Sequence, residues 1–233
     1  MARAPVIPVL AIESAASAPA LARALVDGGL PVLEVTLRTP AALAAVEAIA
    51  RDVPRAVVGV GTLTRAPDAA AARDAGAAFV VSPGLTERLL AAALAIDIPL
   101  LPGVASASEL MRAQEAGLDH LKFFPAEASG GVAALRALAG PFPAVRFCPT
   151  GGINTANYLD YLALANVLCV GGSWLAPADA VAAGDWPRIQ KLAAAVSGAR
   201  PSEVDGVAGA GMAGDWYSVA GEEDPGSANE DLR

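Results

Sequence analysis

Residues 32–61 read VLEVTLRTPAALAAVEAIARDVPRAVVGVG. A β-branched and aliphatic run, 32–37, gives way to an alanine-rich stretch, 41–51, and a second β-rich run follows at 56–61. Two strands with a helix between them form the unit of a parallel sheet, because parallel neighbours need a crossover long enough to hold a helix. The alternation extends both ways along the chain. The β-rich runs are 6–12, 32–37, 56–61, 79–82, 99–101, 120–124, 145–148 and 167–170. Helical stretches lie at 18–27, 41–51, 66–75, 87–95, 107–116, 132–139, near 156–164, and at 186–196. This repetition predicts an α/β fold, a single-domain (β/α)8 TIM barrel. An open doubly wound sheet would call for a glycine-rich nucleotide loop after its first strand, and Ile12-Glu13-Ser14-Ala15 is not one.

The net charge of −8 is unevenly spread. Residues 201–233 hold eight acids and one base, whereas residues 1–200 hold 16 acids and 15 bases. The expected division is therefore a (β/α)8 barrel at 1–200 and a flexible acidic tail at 201–233. No basic stripe points to nucleic acid. The longest apolar runs, such as 89–96, fall far short of the roughly 20 residues a membrane span needs. The first residues lack the apolar stretch and cleavage site of a signal peptide, so a soluble cytoplasmic protein is expected. Cys148 and Cys169 match no zinc spacing and read as buried free thiols. No metal site is expected.

Of 16 basic residues, fourteen are arginines and only Lys122 and Lys191 are lysines. Lys122 sits in the apolar run Leu121-Lys122-Phe123-Phe124-Pro125, where solubility calls for no charge. A lysine there can do what arginine cannot: lose its proton and attack a carbonyl to form a Schiff base. The bland alternative is a packed stem with a snorkelling ammonium. His120, the only histidine, shares its strand and is expected to be a buried neutral residue.

Along 33–38, Leu-Glu-Val-Thr-Leu-Arg, alternation puts Glu34, Thr36 and Arg38 on one face. Such a face is costly in a buried parallel strand unless its groups pair or meet a ligand. Glu34 reads as a proton carrier, and Arg38 as a fork for a substrate carboxylate. The alternative is a Glu34–Arg38 ion pair at an exposed strand end. Pro149-Thr150-Gly151-Gly152-Ile153 follows the seventh predicted strand, and Gly171-Gly172-Ser173-Trp174 the eighth. Phosphate sites of this fold are often built by those two loops, with glycines admitting the anion to backbone N–H groups. Thr62 stands at another strand exit.

Six ordered motifs carry a resemblance: Leu33–Thr39, Val58–Thr62, Ser82–Thr86, Phe123–Glu127, Arg146–Ile153 and Val170–Trp174. Over roughly residues 5–197 they resemble the 2-keto-3-deoxy-6-phosphogluconate and 4-hydroxy-2-oxoglutarate aldolases. The resemblance implies a metal-independent class I aldolase on a TIM barrel, a homotrimer without cofactor, acting in the Entner–Doudoroff pathway. Its substrate would be a phosphorylated 2-keto sugar acid cleaved to pyruvate and glyceraldehyde 3-phosphate, with 4-hydroxy-2-oxoglutarate, cleaved to pyruvate and glyoxylate, as a second. It further implies Lys122 as Schiff-base lysine and Glu34 as general acid/base. Arg38 and Thr62 would contact the pyruvyl carboxylate, while Pro83, Phe124 and Thr150 would line the pocket. Gly151, Gly152 and Ser173 would bind the phosphate. A phosphosugar isomerase on the same barrel would have no use for Lys122. A non-catalytic phosphometabolite-binding protein would have no use for an amine where arginine otherwise prevails.

Overall fold

The computed structural model describes residues 4–199; the acidic stretch at 201–233 lies outside the described residues. The strands are β1 (Val6–Leu10), β2 (Val32–Thr36), β3 (Val57–Gly61), β4 (Val80–Val81), β5 (Leu100–Leu101), β6 (Gly103–Val104), β7 (His120–Phe123), β8 (Arg146–Pro149) and β9 (Val170–Gly172). The helices are α1 (Ala18–Asp27), α2 (Ala42–Asp52), α3 (Pro67–Asp74), α4 (Glu87–Ala95), α5 (Ala107–Glu115), α6 (Gly131–Ala139), α7 (Tyr158–Leu162), α8 (Ala178–Ala183) and α9 (Trp186–Ser197). A 3-10 turn, Glu127–Ser129, precedes α6.

All pairings between these strands are parallel. One curled sheet has the order β5-β4-β3-β2-β1-β9 and a second has β6-β7-β8. Two links connect them. Pro102 alone separates β5 from β6, and the bridges Phe147–Val167 and Thr150–Gly171 join the β8 segment to the β9 segment. Proline has no N–H to give a ladder, which is why the single run expected at 99–101 continues past Pro102 as a separate strand. Its carbonyl still accepts from Lys122 N–H at 2.8 Å. The short helix α8 was also not anticipated by periodicity, since six residues carry less than two full turns.

Helix starts follow local chemistry. Ser106 and Glu109 form a reciprocal capping box on α5, Thr86 caps α4 through Leu89 N–H, and Asp185 caps α9 through Arg188 N–H. Such caps each contribute about 1 kcal/mol. The main core lies between helices and sheet, with Leu25, Leu33, Val35, Ile49, Leu110, Leu121, Phe147 and Ile189 fully buried. A second, smaller cluster gathers Ile7, Val32, Val81, Leu101, Cys148 and Cys169 from the opposite strand faces. Val32 precedes Glu34 by two residues on one face, so this cluster makes an apolar floor on the N-terminal side of the polar residues.

Candidate active site

Glu34 lies in β2 and Lys122 in β7, 88 residues apart, yet Lys122 Nζ donates to Glu34 Oε1 at 3.2 Å. Their side chains are only 5% and 7% exposed. Burying such a pair is costly, and removing one partner costs more, because it leaves the other charge uncompensated. The face expected to hold Glu34 inward therefore does so, but its partner is Lys122, not Arg38. The Phe124 ring lies 5.3 Å from Nζ, within range of a cation–π contact.

Gly61 makes room for the carboxylate. A Cβ at that position would stand 2.1 Å from Glu34 Oε1. In the sequence the signal is a glycine inside a strand, which marks a close approach of another group. Cys148 is the register partner of Lys122. Its thiol is hydrogen-bonded with that of Cys169; this bond and burial push Cys169 well above the usual thiol range. Both are free and buried, as expected.

The other residues of the polar face behave differently. Thr36 is fully buried, and its hydroxyl donates to the Leu10 carbonyl at 2.9 Å, tying β2 to β1. β2 ends there, so Arg38 stands in the following turn rather than on the strand. Its side chain is exposed and, among the described residues, has no hydrogen-bonded or ionic partner. Thr62 follows β3 with φ 60°, a left-handed conformation that costs a β-branched residue on the order of 1–3 kcal/mol. With Leu37, Thr39 and Arg65 it lines a cavity of about 330 Å³ that includes neither Glu34 nor Lys122. Pro83 is exposed after the buried Ser82. His120 differs from expectation. Its ring is 40% exposed and meets Asp119 at 2.5 Å at the start of β7, because the first residue of the strand lies at the surface.

The loop after β8 has two consecutive left-handed glycines, Gly151 at φ 102° and Gly152 at φ 80°. Their carbonyls are engaged: Gly151 accepts from Glu127 N–H at 3.1 Å, and Gly152 accepts from the side chains of Asn154 and Asn157. Among the described residues, the N–H groups of Gly151, Gly152 and Ile153 donate to no backbone acceptor outside the regular elements. Gly151 N–H faces the Gly171 carbonyl through the Thr150–Gly171 bridge; the next two N–H groups, after two left-handed residues, suit an anion-binding turn. Thr150, just before them, is 8% exposed, and its Oγ1 has no ordinary hydrogen-bond partner, with only the weak Cys148 thiol near it. A buried unsatisfied hydroxyl costs about 1–3 kcal/mol, which a ligand acceptor or donor would offset. Ser173 is exposed at the end of β9, whose Gly171 is bridged to Thr150. Thus Thr150, Gly151, Gly152 and Ser173 belong to adjacent strand ends. Among the described residues, no group of three or more His, Cys, Asp or Glu side chains is placed to hold a metal ion.

Known proteins resemble this chain in sequence and fold. The family described as "Aldolase: KDPG and KHG aldolase" matches residues 1–192. The KHG/KDPG aldolase of Escherichia coli K12 is 58% identical over 197 residues, covering 84% of this chain and 92% of the relative. A crystal structure of Legionella pneumophila KDPG aldolase superposes with a TM-score of 0.82 at 50% identity, covering 84% of this chain and 95% of the other. It holds pyruvate captured at low pH as a covalent carbinolamine intermediate. The Zymomonas mobilis ZM4 2-keto-3-deoxy-6-phosphogluconate aldolase, solved with 3-phosphoglycerate, gives 0.80 at 51% identity, covering 85% of this chain and 93% of the other.

Proposed function

Because the chain belongs to the KDPG and KHG aldolase family, we propose that Lys122 and Glu34 carry its reaction, the Schiff-base cleavage of 2-dehydro-3-deoxy-6-phosphogluconate to pyruvate and glyceraldehyde 3-phosphate. The buried 3.2 Å contact between them carries this reading. Neutral Lys122 adds to the C2 ketone, and loss of water from the carbinolamine gives an iminium. The C3–C4 electron pair then flows into the iminium, forming an enamine as Glu34, through the released water, takes the C4 hydroxyl proton. The aldehyde leaves. The enamine is protonated at C3 from the same carboxyl, and water hydrolyses the resulting imine to pyruvate and free lysine.

In this reading Arg38, exposed and without a partner among the described residues, holds the pyruvyl carboxylate, and Thr62, Pro83, Phe124 and Thr150 complete the pocket. The two left-handed glycines of the Gly151–Gly152 turn, together with Ser173, support a phosphate site. Cleavage of 4-hydroxy-2-oxoglutarate is the second activity, favoured by the dual name of the E. coli relative. We read the two linked sheets as one closed (β/α)8 barrel within residues 1–200, with 201–233 as an appended acidic segment. The assembly is a cytoplasmic homotrimer. Pyruvate release from each acid, followed by coupled assay, tests the reading; release from neither contradicts it.

A further inference from the structure

We propose that Glu127 and Tyr161 are positioning residues for the phosphate of the substrate, acting as a strap that holds the Gly151–Gly152 turn in its anion-facing form. The inference rests on the reading of that turn as the phosphate site. Glu127 lies five residues beyond Lys122, in the 3-10 turn before α6. Its backbone N–H donates to the Gly151 carbonyl at 3.1 Å, and the preceding Ala126 N–H donates to the Thr150 carbonyl at 2.8 Å. Its carboxylate accepts from the Tyr161 hydroxyl. Tyr161 belongs to α7, on the far side of the turn, and is fully buried. The turn is thus fastened to the nucleophile-bearing segment at one end and to its own following helix at the other.

The Glu127 stem runs against Gly152. A Cβ on Gly152 would lie 2.5 Å from Glu127 Cγ, so any side chain there would displace the strap. The carbonyls of Thr150, Gly151 and Gly152 are all engaged, while the N–H groups of Gly152 and Ile153 have no acceptor among the described residues, which leaves them available to an anion. The tyrosine has a second effect. The phenolic donor fixes the direction of the Glu127 carboxylate through a hydrogen bond. The strap therefore affects phosphorylated substrates selectively, whereas a brace of structural value alone would affect every substrate alike.

The test compares Tyr161→Phe, Glu127→Ala and Glu127→Gln, with Ser173→Ala as the reference for the phosphate site. Kinetics are measured on 2-dehydro-3-deoxy-6-phosphogluconate and on the same acid without its phosphate. Tyr161→Phe retains the buried ring, and loss of one hydrogen bond corresponds to about a tenfold rise in KM for the phosphorylated acid. Glu127→Ala should do the same, and Glu127→Gln, which keeps an acceptor oxygen and removes the charge, should restore KM toward that of the parent. The unphosphorylated acid should change by less than about twofold. If Ser173→Ala is selective for the phosphorylated acid while Tyr161→Phe and Glu127→Ala affect both acids equally, the strap is overturned and the phosphate site stands. If Ser173→Ala is itself unselective, the phosphate reading fails and the inference falls with it.

Discussion

Lys122 Nζ and Glu34 Oε1 stand 3.2 Å apart in surroundings that leave both side chains 7% exposed or less. The pair joins two strands that do not neighbour each other in either sheet, so it spans the interior from β2 to β7. The proposed nucleophile and the proposed proton carrier are thereby brought to one place.

Glu34→Gln keeps the volume and an acceptor oxygen but cannot carry a proton. It should lower kcat by about 10²–10⁴-fold while leaving pyruvate adduct formation on Lys122 detectable. Steady-state kinetics with both acids checks this. A variant with near-parent kcat would remove Glu34 from the mechanism.

Gly61→Ala tests the same carboxyl without touching it. The added methyl would fall 2.1 Å from Glu34 Oε1, so the carboxyl must shift. Overpacking of this kind costs about 1–3 kcal/mol in stability. The expected result is a kcat reduced toward that of Glu34→Gln with a small change in KM, measured alongside thermal unfolding.

Ser173→Ala should raise KM for the phosphorylated acid by about 1.5–3 kcal/mol in binding, the worth of one charge-assisted hydrogen bond. Cleavage of an unphosphorylated 2-keto-4-hydroxy acid should be nearly unchanged. Equal losses on both would mean that the loop after β9 does not hold the phosphate.

Burial and the hydrogen-bonded Glu127 carboxylate push the Tyr161 phenol up from its ordinary value of 10.0. The folded state then keeps this proton where the unfolded chain sheds it. The associated stability is complete below about pH 10 and is lost as pH rises toward the folded value. Urea midpoints measured from pH 8 to 11 (about one unit apart) should fall more steeply above pH 10 for the parent than for Tyr161→Phe. Parallel declines would show that the phenol is not held in this way.

Much of the site was legible because its residues break local rules. A carboxylate in a buried β2 and the rarer of two cations in an apolar β7 each carry a cost that only function or pairing offsets. Strand periodicity placed Glu34 and Lys122 inward, and the α/β alternation gave their strands. The limits were equally physical. Alternation assigned Arg38 to the Glu34 face, but β2 ends at Thr36 and the turn releases Arg38 to the surface. Thr36, read with the polar set, instead gives its hydroxyl to a neighbouring carbonyl. Pro102 hid β6, since it interrupts the run that periodicity follows. Glu127 ends the Phe123–Glu127 motif, and nothing in its sequence neighbourhood assigns it a role. Its bond to Tyr161 joins residues 34 apart through side chains, and no spacing rule encodes that.

The central claim is that Lys122 is the Schiff-base nucleophile. Incubating the protein with pyruvate, reducing with borohydride and mapping peptides by mass spectrometry tests it most directly. One pyruvyl adduct per chain is expected, on the peptide bearing Lys122, and none in Lys122→Arg, because a guanidinium stays protonated. An adduct on Lys191, which is exposed on α9, or full activity with no adduct at all, would contradict it.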